Sequence, residues 1–268
     1  MGLSMDRLDI VLFEKGLSKS RSNSKDLIKN GLVYVNGEIC QKPSFVVSDE
    51  DNIRVSESAN LFVGRGGLKL RKAIDEFSVN LKDAICLDIG ASTGGFTDCM
   101  LKNGAKKVYA VDVGEGQLDI SLCNDERVVN LEKTNIKDIP YGYFSDDIAF
   151  ISIDVSFISL KQVLPKASEL LSDDGEVVAL IKPQFEAGKK NLNKNGVVKD
   201  IKTHKVVLND IVSFSENYFS VCGLTFSPIA RKDGNIEYLI HLKKVGNSDS
   251  KDISELVNRA FKEVIFDK

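Results

Sequence analysis

The chain has little of what metal sites and disulfide frameworks are built from. Two histidines and five cysteines are scattered over 268 residues, and Cys40, Cys86, Cys99, Cys123 and Cys222 form no C-x-x-C pair. That argues against a zinc site and against a disulfide-stapled fold, and no metal is expected. Cys86 stands inside an apolar, strand-like run and reads as a buried free thiol, in keeping with a reducing cytoplasm. Long hydrophobic runs are missing too. Residues 177–181 are typical of the longest, which suits a strand and falls far short of a membrane span. Residues 1–20 hold no apolar core of the signal-peptide kind. Charge of one sign is also lacking. The net charge of −3 gives no global pull toward nucleic acid, so the placement of charges matters more than their sum. There is no internal repeat and no low-complexity segment. What remains, 43% hydrophobic and 28% charged residues, is the composition of a globular protein with room for two domains.

The first 59 residues read as one small unit. Leu8, Val11 and Leu12 recur at helical spacing, and Gly16 is placed to end that helix. Ser20 can cap a second helix carrying Leu27 and Ile28 and ending at Gly31. In the apolar stretch 32–40, Asn36-Gly37 is the strongest short hairpin signal available. Two helices and a hairpin make a compact α+β unit. Polar residues 57–60 and the segment 60–65 form the expected linker.

From residue 66 to 245 the pattern is that of a second, α/β domain. Gly66-Gly67 opens a helix with Leu70, Ala73, Ile74 and Phe77 on one face. Strands are expected at 85–89, 108–111, 128–131, 148–153, 177–181, 221–226 and 236–242, with helices between most of them. One such helix runs over 201–218, with Val207, Ile211, Phe214 and Tyr218 on its stripe. Apolar strands alternating with helices imply a seven-stranded, mostly parallel sheet covered on both faces. The last two strands are joined by the short segment 228–235, which is too short for a parallel crossover. They are therefore expected to pair antiparallel. The polar tail 246–268 frames one last helix.

The segment Gly90-Ala91-Ser92-Thr93-Gly94-Gly95-Phe96-Thr97 joins a strand to a helix. Glycines there let a ligand approach the backbone, and a helix start presents free N–H groups. Asp112, twenty-two residues after Gly90, ends the second strand, where a carboxylate can accept hydrogen bonds from ribose hydroxyls. The spacing suits a dinucleotide or an adenosyl cofactor. The detailed form favours the second: the loop reads G-A-S-T-G-G rather than G-x-G-x-x-G, and Asp88 would sit poorly beside a pyrophosphate.

Asp154 and Lys182 end the fourth and fifth strands, and carboxyl ends of neighbouring parallel strands line the ligand crevice of such sheets. Glu237 lies near the start of the last strand, which reaches the same rim if that strand is antiparallel. Lys69, on the helix before the sheet, can fold over that edge. These residue types suit methyl transfer to a ribose 2′-hydroxyl, a very weak acid that needs a base or a strong orienting partner. A lysine titrating at about 10.4 is protonated at neutral pH. A cationic neighbour or burial can bring it to ~7–8, where it works as a base. Lys69 near Lys182 pushes that way, and Asp154 and Glu237 push back while orienting the amines.

Taken together, these segments resemble the TlyA family of ribosomal RNA 2′-O-methyltransferases, historically called hemolysins, over nearly the whole chain up to about residue 242. Arg7-Leu8-Asp9, Gly16-Leu17-Ser18-Lys19-Ser20-Arg21 and Val35-Asn36-Gly37 resemble the alpha-L RNA-binding module first described in a small-subunit ribosomal protein. Arg65-Gly66-Gly67-Leu68-Lys69-Leu70 is similar to the family segment with its first catalytic lysine, and residues 90–98 to its cofactor motif. Asp112-Val113-Gly114 and Thr134-Asn135-Ile136 are similar to segments that line ribose and adenine. Asp154-Val155-Ser156-Phe157, Lys182-Pro183-Gln184-Phe185 and Asn235-Ile236-Glu237 are similar to the remaining catalytic segments. The resemblance implies a Rossmann-like methyltransferase domain of the FtsJ-like kind, S-adenosylmethionine as cofactor and the catalytic tetrad Lys69, Asp154, Lys182 and Glu237. It also implies cofactor contacts that include Val113, Asn135, Ile136 and Asp154, and a cytidine ribose in ribosomal RNA as substrate. In its linker the chain departs from the pattern, since some members carry a tryptophan there and this sequence has none.

Basic residues are placed to follow a phosphate backbone. Arg21, Lys25 and Lys29 recur every fourth residue on the second helix, and residues 15–42 hold six basic and two acidic side chains. Arg65, Lys69, Arg71 and Lys72 cluster at the junction, and Lys189, Lys190 and Lys194 follow the fifth strand. Arg7 joins the RNA-contacting set through the resemblance. Three other functions compete. A membrane-active hemolysin needs an apolar span, a barrel pattern or an amphipathic surface helix. A non-catalytic RNA chaperone would have no use for the tetrad. A dinucleotide oxidoreductase is disfavoured by the loop. No sequence feature marks an oligomeric state.

Overall fold

The computed structural model describes residues 5–18, 20–29, 31–56, 61–229, 234–248 and 251–263. Lys19, the polar residues 57–60 and part of the segment between the last two strands lie outside the described residues. The chain divides into two compact units, Met1–Leu61 and Phe62–Lys268.

In the first unit, strand β1 (Met5–Arg7) leads into helix α1 (Leu8–Glu14), followed by α2 (Arg21–Lys29). Leu8 and Leu12, one helical turn apart, are fully buried against Leu27 and Ile28 of α2 and against Val33, Val35 and Val47. Gly16, at φ +69°, ends α1. Ser20 Oγ accepts the Asn23 N–H at 3.1 Å and caps α2 as expected. Strands β2 (Val33–Val35) and β3 (Glu38–Ile39) form the hairpin, with Asn36 and Gly37 at φ +53° and +89°, the two left-handed residues that a type I′ turn requires. Two features go beyond the sequence reading. Strand β4 (Val46–Ser48) pairs with β1, and β5 (Ile53–Val55) adds to the hairpin in the order β3-β2-β5. Three-residue strands are too short for an alternating pattern to show.

The second unit begins with α3 (Gly66–Phe77). The strands and helices that follow are β6 (Ile85–Ile89), α4 (Gly95–Lys102), β7 (Lys107–Val111), α5 (Ile120–Cys123), β8 (Val128–Leu131), β9 (Ile148–Ile153), α6 (Leu164–Leu170), β10 (Leu171–Ile181), α7 (Pro183–Glu186), α8 (Ile201–Ser215), β11 (Ser220–Phe226), β12 (Tyr238–Lys243) and α9 (Ile253–Glu263). They build a seven-stranded sheet ordered β11-β12-β10-β9-β6-β7-β8. β12 runs antiparallel to both of its neighbours and the other pairings are parallel. Alternation along β10 shows how both faces are covered. Val177, Ala179 and Ile181 pack into one core with Leu208 and Ile211 of α8. Val178 and Leu180 face the other core, with Leu70 and Ala73 of α3 and Met100 of α4.

Several boundaries differ from the sequence expectation. β10 starts at Leu171 rather than 177, because its first residues join β9 through a register shift before Glu176. α8 stops at Ser215, so Tyr218 falls off the apolar stripe and is 38% exposed. β12 begins at Tyr238, one residue past Glu237. The connection between β8 and β9 holds only a 3-10 turn, Ile136–Asp138. The polar tail does contain a helix, α9, which buries Ile253, Val257 and Ala260 in the α8 side of the core. Among the described residues, no helix is long and apolar enough to cross a membrane.

Candidate active site

The strand ends decide where the chemistry-bearing side chains go. β9 and β10 are parallel neighbours, so Asp154 and Lys182, each one residue beyond its strand, emerge at the same edge. Their side chains meet, Lys182 Nζ to Asp154 Oδ1 at 2.5 Å. Lys182 Nζ also donates to Ser156 Oγ at 3.0 Å. The register Tyr238↔Ile181 puts the start of β12 beside the end of β10, which brings Glu237 to this edge. Lys69 reaches over from the first turn of α3, donates to Glu237 Oε2 at 2.5 Å and stands 4.0 Å from Asp154 Oδ2. The result is a chain of alternating charge, Lys182, Asp154, Lys69, Glu237. Glu237 is fully buried, Lys182 6% exposed, Lys69 12% and Asp154 21%. Four charges this dry are tolerable because they compensate one another in pairs.

The glycine-rich loop closes the edge from the β6 side. Gly90 has φ +86°, and a Cβ there would fall 2.6 Å from the Asp154 carbonyl oxygen, so no side chain fits. Asp154 N–H donates to Ile89 O at 2.9 Å and fastens the two loops together. Beneath the loop lies Asp88, fully buried, which accepts hydrogen bonds from Thr97 at 2.7 Å and Ser152 at 2.8 Å. Burial pushes its carboxyl up to about 6, against the pull of those hydroxyls.

Two cavities meet at this edge. The first, about 410 Å³, is lined by Arg65, Gly66, Lys69, Gly90, Ala91, Ser92, Thr93, Gly95, Phe96, Asp154, Ser156 and Lys182. The second, about 500 Å³, is lined by Gly90, Ser92, Asp112, Val113, Asn135, Ile136, Asp154, Ser156 and Phe157, among others. They share Gly90, Ser92, Asp154 and Ser156 and so form a continuous crevice. Asp112 accepts the Ser92 N–H on one oxygen and the Gly114 N–H on the other, both at 2.8 Å. Asn135 caps the 3-10 turn by accepting the Lys137 N–H.

Two of the expected cofactor contacts are not in the lining. Thr97 is fully buried and spends its hydroxyl on Asp88, because the α4 helix turns that position toward the sheet. Gly94, at φ +90°, backs onto Leu118 and Leu122. Of the expected RNA contacts, Arg65 lines the first cavity, and Lys189 and Lys190 are exposed in the 3-10 turn Lys189–Asn191 that follows α7. In the first unit, Arg21, Lys25 and Lys29 are exposed on α2. Lys25 stands 3.9 Å from Asp9, and Arg7 clamps that buried carboxylate with two hydrogen bonds. The Arg7 guanidinium holds the Asp9 carboxyl below its usual range. The sequence reading named Ser156 and Gln184 only within their segments and gave neither a role; each sits two residues past Asp154 or Lys182, which is the signal that could have singled it out.

The sequence profile of the FtsJ-like methyltransferases matches residues 62–244, and that of the S4 domain matches residues 6–53. The chain belongs to the FtsJ-like methyltransferases of the TlyA family. The 16S/23S rRNA (cytidine-2′-O)-methyltransferase TlyA of Mycobacterium tuberculosis is 38% identical over 96% of this chain and 97% of its own length. Hemolysin A of Brachyspira hyodysenteriae is 45% identical over 88% of this chain and 98% of its own. A solved Streptococcus thermophilus structure that goes under the hemolysin name superposes with a TM-score of 0.76 at 43% identity, covering 98% of both chains. For an FtsJ-like methyltransferase, the crevice at the carboxyl ends of β6 and β9 is where the fold rule for open α/β sheets puts the ligand. Among the described residues, no group of three or more His, Cys, Asp or Glu side chains is arranged to hold a metal ion.

Proposed function

We propose that this protein transfers a methyl group from S-adenosylmethionine to the 2′-hydroxyl of a ribose in ribosomal RNA, at a cytidine as in the M. tuberculosis relative's name. The observation that carries the reading is the alternating row Lys182, Asp154, Lys69 and Glu237, buried at its two ends and partly buried between, at the mouth of the two-lobed crevice.

The residues present fit an adenosyl amino acid. Each lobe is within the usual size range of small-ligand sites, roughly 300–1,000 Å³. Asp112 keeps lone pairs for ribose hydroxyls, the buried Ile136 gives an apolar wall for a base, and the absence of a side chain at Gly90 lets the Asp154 loop close against the glycine-rich loop. When bound, the cofactor supplies an electrophilic methyl group on its sulfonium. The protein's share is to bring the hydroxyl into line and to take its proton. Lys182 Nζ is the acceptor once it has lost its own proton, with Asp154 and Ser156 fixing its direction. Glu237 pairs with Lys69 at the far end of the charge order from Lys182, the partner of Asp154.

Arg65 in the lining and the exposed basic face of α2 in the S4 unit suit the phosphates of a structured RNA. The deciding experiment is methyl transfer from labelled S-adenosylmethionine to purified small and large ribosomal subunits, followed by mapping of the modified nucleotide. Label at a cytidine 2′-oxygen is expected. Label on a base, or none on either subunit, would overturn the reading.

A further inference from the structure

The segment after Lys182 carries a second device. Pro183 opens the one-turn helix α7, where its fixed φ suits a first helical position. The next side chain is Gln184, 7% exposed. Its Nε2 donates to Glu237 Oε1 at 3.4 Å, while Lys69 takes the other oxygen of the same carboxylate. Its own carbonyl Oε1 is buried with no hydrogen-bond partner among the described residues. The amide cannot be turned round to cure this, since its oxygen would then face the carboxylate. A buried, half-satisfied amide costs free energy that an apolar side chain of the same size would not. Packing alone therefore does not account for a glutamine here.

We propose that Gln184 is a positioning residue for methyl transfer: it holds Glu237 so that Lys69 pairs more closely with that carboxylate than with Asp154, whose shorter pairing is with Lys182. The asymmetry it protects is geometric. Asp154 lies 2.5 Å from Lys182 and 4.0 Å from Lys69. Without the amide, Glu237 swings, Lys69 follows it, and the division of Asp154 between the two amines is lost. This inference rests on the methyl-transfer reading above.

The test uses the full chain with Gln184→Met, near-isosteric but unable to hydrogen-bond, and Gln184→Glu. Single-turnover transfer to ribosomal subunits is followed from pH 6 to 9. The Met variant is expected to lose about tenfold or more in rate, with cofactor and RNA affinity within about twofold, as for an interaction that matters mainly in the transition state. The Glu variant is expected to be slow at alkaline pH and to recover as pH falls. A protonated carboxyl can donate to Glu237 as the amide does, and its charged form repels it. A role in packing alone would give losses independent of pH in both variants. Equal losses at every pH, or wild-type rates in the Met variant, would overturn the proposal. A second readout needs no turnover: the pH profile of Lys69 acetylation, read by mass spectrometry. It is expected to shift in the Met variant relative to wild type, and an unchanged profile would overturn the proposal. Failure of the wild-type chain to methylate any subunit would instead end the methyl-transfer reading, and the Lys69 profile would still decide whether Gln184 positions the cluster.

Discussion

Lys182 and Asp154 leave adjacent parallel strands one residue past their ends, and their side chains meet at 2.5 Å over the crevice. Lys182→Ala is expected to lower methyl transfer by about 10²–10⁴-fold, the range general-base removal brings, with cofactor affinity nearly unchanged. Lys182→Arg separates base from electrostatic support, because arginine stays charged in proteins. Arg as inactive as Ala assigns the proton to Lys182. Substantial activity in the Arg variant would make Lys182 an orienting charge and pass the base role to Lys69.

Asp112 spends one lone pair of each carboxylate oxygen on a loop N–H. Asp112→Ala is expected to weaken S-adenosylhomocysteine binding by about tenfold or more, through lost ribose contacts and a loosened loop. Asp112→Asn should lose less, since its carbonyl still accepts one of those N–H groups. Calorimetry with the homocysteine ligand and with NAD checks this. Unaltered affinity in the Ala variant, or tight NAD binding, would contradict the assignment.

Burial raises the carboxyl of Asp88 to about 6. Below its unfolded value, near 3.8, the group is neutral in both states and its ionisation costs nothing. As pH rises from there through about 6, the unfolded chain gives up the proton while the folded chain keeps it, so stability falls across that window. Above it the penalty is complete, at about 3 kcal/mol. Asp88→Asn removes the titration. Urea unfolding at a series of pH values should show the variant gaining on wild type by roughly that amount between pH 4 and 7 and level thereafter. A difference independent of pH would mean that burial does not raise the Asp88 carboxyl above its unfolded value.

Arg21 is exposed on α2, whereas Lys25 stands 3.9 Å from Asp9. Arg21→Glu is expected to weaken RNA binding across sequences and to reduce the salt slope by about one, as loss of a phosphate contact does. Lys25→Glu should weaken it as well and also unsettle Asp9, with a small loss of stability. Filter binding at several salt concentrations measures the slope. An unchanged slope in Arg21→Glu would place the RNA surface elsewhere.

Val257 of α9 is fully buried in the core beneath α8. Val257→Asp should cost more than about 3 kcal/mol, because it buries a charge without a partner. Ser254→Asp, exposed on the same helix, should be near neutral. Similar melting temperatures for the two variants would show that α9 is not part of the core.

Much of the fold is written locally. The apolar runs at 85–89, 128–131 and 148–153 coincide with β6, β8 and β9, because a strand buried on both faces needs consecutive apolar residues. Asn36-Gly37 names its own turn, and Gly90 marks a backbone that no side chain can share with Asp154. The four charged residues were legible for the same local reason: each ends, precedes or interrupts an apolar run, where the chain must leave the core. What the sequence leaves open depends on partners far along the chain. β1, β4 and β5 exist only through pairing, and three residues cannot announce it. Thr97 looked like part of the cofactor loop until the packing of α4 turned it onto Asp88. The position of β12 between β10 and β11 brings Glu237 to Lys69, 168 residues away, and sets Gln184 against that carboxylate. Local composition fixes which segments must be buried. Which buried charges then face one another is decided by strand order, since only the assembled sheet brings those side chains within reach of a hydrogen bond.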